Sequence, residues 1–460
     1  MRKNDQFPQD SSMKNSRFLA DYGMIFVLVL LCAFFSVVTY SEQAPGGNAA
    51  AKQIANIIRQ KFERKPGQIV TGFSNAPRVL IVGRNQPDDE IFVERLRAEL
   101  RSTARWIMST RGEPKDAREA LEEIAAKRGG VDVIACTQVT AEWLVFSDLK
   151  TDFPALGDPE IIKPIAYKWP NFLKSENLLN IANQIAVIAI VAIGMTMVII
   201  TGGIDLSVGS LLALSAVLAA RFIRDFASGV NASFGGMLLA CIAAIVLCGI
   251  VGAFSGAMIT RFAIPPFIVT LAMMLVGSGL AYILANGQSV YQIPDSFVWL
   301  GRGADFLNVP NAVVLMLVLY ALAHVLMSRM KLGRHLYAVG GNREAARLSG
   351  VPVMRVLMFA YVASALLAGL GGVIMASQLK SGSATYGNMY ELYVIAAVVV
   401  GGTSLSGGEG KMLGTLTGAF TIAVIQNGMN LTNVESYTQK VVLGLVILGA
   451  VLLDKIRHAR

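Results

Sequence analysis

Charge is scarce in this chain. Asp, Glu, Lys and Arg make up 15% of its 460 residues, whereas an ordinary soluble domain is about 25% charged. Histidine is scarcer still. His324, His335 and His458 are the three in the sequence, and none stands in an H-E-x-x-H pattern. Cysteine stops at four. Cys32, Cys241 and Cys248 lie in apolar runs, where packing is their expected role, and Cys136 is alone in the polar part of the chain, so no disulfide is available there. No cysteine pair has zinc spacing, and serines near aspartates have no histidine to activate them. With no catalytic constellation visible, no enzyme activity, cofactor or metal is expected. The cations are not interleaved with aromatics, so nucleic acid is not an expected partner.

What the chain has instead is apolar length: 54% of its residues are hydrophobic. A helix crossing a bilayer needs about 20 mostly apolar residues. Such runs occur near Gly23–Tyr40, Ile181–Thr201, Leu206–Ala220, Gly235–Ala257, Pro266–Asn286, Pro310–Met330, Val356–Gln378, Leu392–Gly402, Met412–Asn430 and Lys440–Asp454. The expected fold is therefore an all-α polytopic membrane protein of about ten transmembrane helices, surrounded by membrane lipid. Arg2, Lys3, Lys14 and Arg17 precede the first run and keep the N-terminus in the cytoplasm. That run is longer than the roughly 7–15-residue core of a signal peptide and lacks a clear A-x-A site, so it reads as an uncleaved anchor.

Charge supports this count. Ten spans place Met258–Pro265, Lys331–Arg355, the loop at Lys411 and the C-terminal KIRHAR in the cytoplasm, with Arg261, Lys331, Arg334, Arg343, Arg347, Arg355, Lys411, Lys455, Arg457 and Arg460. The short loops opposite hold Arg221, Arg224, Arg302, Lys380 and Lys440. The bias has the sign expected for both termini inside, and the net charge of +9 reads the same way. His324 is an ionisable residue within a span, where function is the default reading; a packed, neutral histidine is the expectation preferred here.

Residues 42–168 differ in kind. Pro77–Gly83, RWIMST and Val131–Thr137 are short strand-like runs. Between them, Asp88–Ser102 has helical spacing at Ile91, Val93, Leu96 and Leu100, and EPKDAREALEEIAAKRGG starts acidic and stops at two glycines. Strand–helix–strand–helix–strand predicts a small α/β extracytoplasmic insertion with parallel strands. The chain thus divides into residues 1–41 (N-terminus and first helix), 42–168 (insertion) and 169–460 (membrane domain).

Two stretches share the pattern G-G-x-x-L-S-x-G. The first runs Gly202, Gly203, Ile204, Asp205, Leu206, Ser207, Val208, Gly209; the second runs Gly401, Gly402, Thr403, Ser404, Leu405, Ser406, Gly407, Gly408. Each follows an apolar run, and like-oriented halves with broken helices are one way to build a transporter. Asp205 precedes LSVGSLLAL and reads as a helix N-cap; substrate contact and a lid or assembly role are the alternatives. The letters LSGGE at Leu405–Glu409 look like the signature of ATP-binding cassette ATPases. A phosphate loop needs a glycine where Leu405 stands and Ser or Thr where Met412 stands. The flanks are apolar spans, so no ATP site is expected in this chain.

GMTMVIITGGIDLSVGSLLALSA, GRHLYAVGGNREAARLSGV and YVIAAVVVGGTSLSGGEGKMLGTLTGAF, in this order, resemble the permease subunits of ribose-type ABC importers. The likeness runs from about Trp169 to Arg460, and residues 42–168 depart from the family pattern. The resemblance implies a homodimer in the bacterial inner membrane, a separate ABC ATPase subunit, a periplasmic sugar-binding protein, and a monosaccharide such as ribose, xylose or galactose. It assigns ATPase coupling to the loop around Asn342, Arg343, Glu344, Ala345, Ala346, Arg347, Leu348 and Gly350. There Asn342 reads as an N-cap and Gly350 as a stop, with a small-residue face for docking. A branched-chain amino-acid permease is the nearest alternative. A membrane receptor with an extracytoplasmic sensing unit is another, and it expects a cytoplasmic signalling domain.

Overall fold

The computed structural model describes residues 11–62, 76–127 and 129–458; Arg2, Lys3 and Arg460, counted above for topology, lie outside them. The chain forms two compact units, residues 1–39 with 170–460, and residues 40–169. Helix α1 (Ser11–Val38) belongs to the first and is apolar over Gly23–Val38.

The second unit starts with β1 (Tyr40–Gln43) and α2 (Gly47–Phe62). Then come β2 (Arg78–Gly83), α3 (Pro87–Leu100), β3 (Trp106–Arg111), α4 (Pro114–Lys127) and β4 (Val133–Cys136). The short α5 (Leu149–Asp152), β5 (Glu160–Ile162) and β6 (Tyr167–Pro170) close it. β1 pairs with β6, and the other four strands form a parallel sheet in the order β3-β2-β4-β5. Side chains on a strand alternate between faces, and that alternation sorts the core. Val79, Ile81, Val133 and Ala135 pack under α2 and α3. Leu80, Val82, Ile134 and Cys136 pack under α4 and the segment around Phe146 and Phe153. α2 and β5 were not read from the sequence.

The membrane unit resumes with α6 (Ser175–Ile200), α7 (Val208–Phe226), α8 (Phe234–Arg261) and α9 (Pro266–Ala285). After the short α10 (Trp299–Arg302) follow α11 (Asn311–Arg329), α12 (Lys331–Gly341), α13 (Arg343–Leu348) and α14 (Val353–Leu379). α15 (Tyr390–Val400), α16 (Met412–Leu431) and α17 (Ser436–His458) complete it. Five of these, α6, α8, α9, α11 and α14, are long and apolar enough to cross a membrane. Shorter apolar helices lie at Gly23–Val38, Tyr390–Val400 and Ser436–Leu452. The fold is that of a polytopic helical membrane protein.

α6 is apolar all round and buried at every residue from Ile185 to Ile200, as a helix at the centre of a bundle must be. α8, α9 and α11 stand at the rim and expose Leu239, Ile250, Phe254, Leu275, Ile283 and Leu322. An apolar exterior of this extent is solvated by lipid, not water. α14 approaches α8 closely because Gly249, Gly252 and Gly256 face Leu366, Ala365 and Met358, the small-residue packing usual between membrane helices. His324 lies on the exposed side of α11, so the expectation of a packed histidine is corrected: Ala323 and Met327 take the inward positions on that turn.

Candidate functional site

The two glycine motifs are two helix breaks with the same local chemistry. α6 ends at Ile200 with Thr201 as its cap, and Gly202 follows with φ +76°. The Gly202 N–H donates to the Ile199 carbonyl (2.9 Å) and the Gly203 N–H to the Val198 carbonyl (3.1 Å). α15 ends at Val400, with Gly401 as its cap and Gly402 at φ +85°. There the Gly402 N–H reaches Val399 (2.9 Å) and the Thr403 N–H reaches Val398 (3.1 Å). Both are Schellman closures, in which a left-handed residue lets two orphan carbonyls find donors. The left-handed residue is the first glycine of one pair and the second of the other, so the repeat is out of register by one residue at the helix ends.

Asp205 does not cap α7. The residue at the N-cap position is Ser207. Asp205 lies two residues earlier and folds an Asx turn instead: its Oδ1 accepts from the Ser207 N–H (3.0 Å) and hydroxyl (2.6 Å), and its Oδ2 accepts from the Ser364 hydroxyl of α14 (2.8 Å). A carboxylate that is 2% exposed is costly unless donors surround it; here three do, and one of them ties the break to α14. Ser404 plays the shorter version of this part, accepting from the Ser406 N–H at 3.3 Å. Tyr361 Oη and Thr403 Oγ1, buried beside the two breaks, have no hydrogen-bond partner. Gly209, the second residue of α7, has no room for a side chain, because a Cβ there would overlap the Glu391 carboxylate and the Gly387 carbonyl.

The connector from Lys331 to Arg355 holds two helices, α12 as well as the expected short α13. The Asn342 side chain caps α13 by accepting from the Ala345 N–H at 2.9 Å. Gly350, at φ +83°, ends it: its N–H reaches Arg347 and the Val351 N–H reaches Ala346. Glu344 and Arg347 pair at 2.9 Å across one turn. Ala346 is buried, whereas Arg343, Ala345 and Leu348 face outward, Leu348 with 80% of its surface free. The outward face thus carries Ala345 and Leu348 among the charges Arg343, Glu344 and Arg347, with Ala346 turned inward.

α12 joins this connector to both breaks. Its last turn brings Gly340 against the end of α6 and the second motif. The Gly408 N–H donates to the Ile200 carbonyl at 2.8 Å. A Cβ on Gly340 would overlap that carbonyl and stand 2.6 Å from the Gly408 nitrogen, and one on Gly407 would stand 3.0 Å from the Gly340 carbonyl. The Tyr337 hydroxyl adds a bond to the Gly410 carbonyl at 2.7 Å. Gly202, Gly340, Gly407 and Gly408 therefore meet at one point, backbone to backbone. Gly401 is used differently, in the close pairing of α15 with Gly414 of α16. This junction was not foreseen; the three glycines of KLGRHLYAVGG were the available signal. Among the described residues, no three His, Cys, Asp or Glu side chains are grouped to hold a metal ion.

A bundle of apolar helices with two broken ones that meet at α12 has the build of a membrane transport subunit. Residues 177–451 match the family described as the permease component of the branched-chain amino acid transport system, and the chain belongs to that family. Among curated relatives, a ribose import permease of Escherichia coli K12 is 44% identical over 289 residues, 62% of this chain and 87% of the relative. A ribose import permease of Bacillus subtilis 168 is 44% identical over 308 residues, 66% and 93% of the two chains. A D-allose transport system permease of Escherichia coli K12 is 33% identical over 285 residues, 62% and 85%. No solved structure matches the chain.

Proposed function

We propose that the chain is the permease subunit of an ABC importer that carries a monosaccharide, a ribose-like pentose or a hexose, across the bacterial inner membrane. The observation that carries the mechanism is the backbone contact of α12 with both helix breaks. In this reading the protein works as a homodimer with about ten spans per chain and both termini cytoplasmic. A separate ATPase subunit supplies the nucleotide chemistry, and a sugar-binding protein delivers substrate on the other side.

α13 is the part that docks on the ATPase. Leu348 offers the apolar anchor, and Arg343, Glu344 and Arg347 fix register by charge. When two ATPase subunits close, α13 is pushed, and α12 carries the displacement to Ile200 and Gly408. The two breaks then tilt their helices between outward and inward openings. Such a cycle needs only a difference in sugar affinity between the two states. The ribose, allose and arabinose permeases among the relatives support a sugar over a branched-chain amino acid. The unit at 40–169 is read as an extracytoplasmic platform for the binding protein.

The test is uptake into proteoliposomes that contain the chain, its ATPase and its binding protein, with ribose, galactose and leucine in competition. Sugar-inhibitable uptake supports the proposal; uptake blocked by leucine and not by sugars contradicts it.

A further inference from the structure

Between α14 and α15 the chain leaves the helix at residues 380–389, and it does so at membrane depth. Contacts fix that depth. Gly382 lies against Ala216 and Val217 of α7, and Gly387 lies further along, against Gly209 and Leu212. Leu212 also stands beside Gly371 of α14, together with Val187 and Val191. Those two valines are at the middle of α6, a helix of 26 residues that is long and apolar enough to cross a membrane. The segment therefore runs from the end of α14 to the level of the bundle's middle, where α15 begins.

Non-helical backbone at such a depth is stable only where protein covers it or where it lines a water-filled cavity. Ser381, Gly382, Ser383 and Gly387 are buried, which accounts for one side. Thr385 and Asn388 are exposed, and Glu391, in the first turn of α15, is half-buried. Lipid does not solvate a carboxylate, an amide and a hydroxyl, so this side faces water. Among the described residues no cation stands beside Glu391; the hydrogen bond it receives comes from its own backbone N–H. Its two oxygens retain capacity for further donors. The start of a helix favours an acid, but that does not account for Thr385 and Asn388 in the residues just before it.

We propose that Glu391 is a sugar-contacting residue of the translocation pathway, its carboxylate accepting from two neighbouring hydroxyls of a neutral monosaccharide, with Asn388 alongside as donor and acceptor. This assignment rests on the monosaccharide reading given above. Its position suits the cycle. Glu391 packs on Gly209, the last residue of the first glycine motif, and heads the helix that ends in the second. A tilt at either break moves the carboxylate, which gives the two states different sugar affinities.

The experiment uses the chain with its ATPase and binding protein in proteoliposomes, with ribose as the probe and a melting curve for each variant. The wild-type importer is expected to take up ribose. Glu391→Gln keeps the size and removes the charge, and should lower maximal uptake roughly ten-fold with Tm unchanged. Glu391→Asp keeps the carboxylate and should retain more uptake than Glu391→Gln, the reverse of what a packing role predicts. Leu322→Ala, on the exposed side of α11, should match wild type. Independently of any Glu391 variant, Asn388→Cys should be modified by a charged methanethiosulfonate reagent, read on its own peptide by mass spectrometry. Ribose uptake by Glu391→Gln that equals wild type or exceeds that of Glu391→Asp overturns the Glu391 assignment and leaves the monosaccharide reading standing. An unmodified Asn388→Cys also overturns it, because this side is then dry. A wild-type importer that takes up leucine and not ribose overturns both.

Discussion

Substituting alanine at Gly340 should uncouple the motor from the pathway, and the neighbouring Gly341 supplies the control. Both glycines end α12, and neither has a left-handed backbone, so alanine is conformationally allowed at each. Their surroundings differ. A Cβ at Gly341 meets nothing within 4 Å, whereas at Gly340 it overlaps the Ile200 carbonyl and crowds the Gly408 nitrogen. Overpacking of this kind costs about 1–3 kcal/mol. Loss of the Gly408–Ile200 hydrogen bond adds about 0.5–1.5 kcal/mol. The sum, about 1.5–4.5 kcal/mol, falls on the junction where Gly340 of α12 meets both breaks. Even its lower bound is a shift of roughly twelve-fold in any equilibrium that uses this contact. The assay is ATP-driven sugar uptake in proteoliposomes, run beside ATP turnover and thermal unfolding. Gly340→Ala should lower uptake at least about ten-fold while the ATPase still docks, and Gly341→Ala should match wild type. Equal uptake by the two variants, with both folded, would refute the argument.

Leu348→Glu should weaken capture of the ATPase by the purified chain at least about ten-fold, because an exposed Leu anchor is worth about 1.5–3 kcal/mol when buried, yet leave thermal stability unchanged; surface plasmon resonance and a melting curve check the two halves. Asp205→Ala strands the Ser207 and Ser364 donors inside the protein, at a cost of about 2–4 kcal/mol, and should lower Tm more than Asp205→Asn, which keeps one acceptor; the reverse order would contradict the Asx-turn assignment. Burial pushes the Cys136 thiol up to about 12, so the native chain should resist maleimide at that residue near neutral pH and react once denatured, as mass spectrometry of its tryptic peptide would show.

Much of the architecture was legible because its signals are local. Apolar length marked the five helices long enough to cross a membrane. Asn342 and Gly350 marked the ends of α13 because a cap and a left-handed stop are written in single residues. Strand–helix alternation marked β2, β3 and β4, each of which lies on one of the three runs picked from the sequence. The misses arise where tertiary contacts decide. α12 carries Gly333, Gly340 and Gly341 in eleven residues, and glycine argues against a helix by about 1 kcal/mol each; Gly340 is there because only a hydrogen atom fits against Ile200. Asp205 could cap a helix or fold an Asx turn from the same place in sequence, and Ser364, 159 residues away, favours the turn. β5 is a three-residue edge strand, too short to show a period.

The central claim is that a separate ATPase drives this chain through α13 and α12. The direct measurement is ATP hydrolysis and sugar uptake by proteoliposomes holding the purified chain alone, then with the ATPase and binding protein, then with both and the Gly340→Ala chain. The account predicts neither activity for the chain alone, both for the complete set, and hydrolysis without matching uptake for the variant. Hydrolysis by the chain alone, or full uptake by the variant, would contradict it.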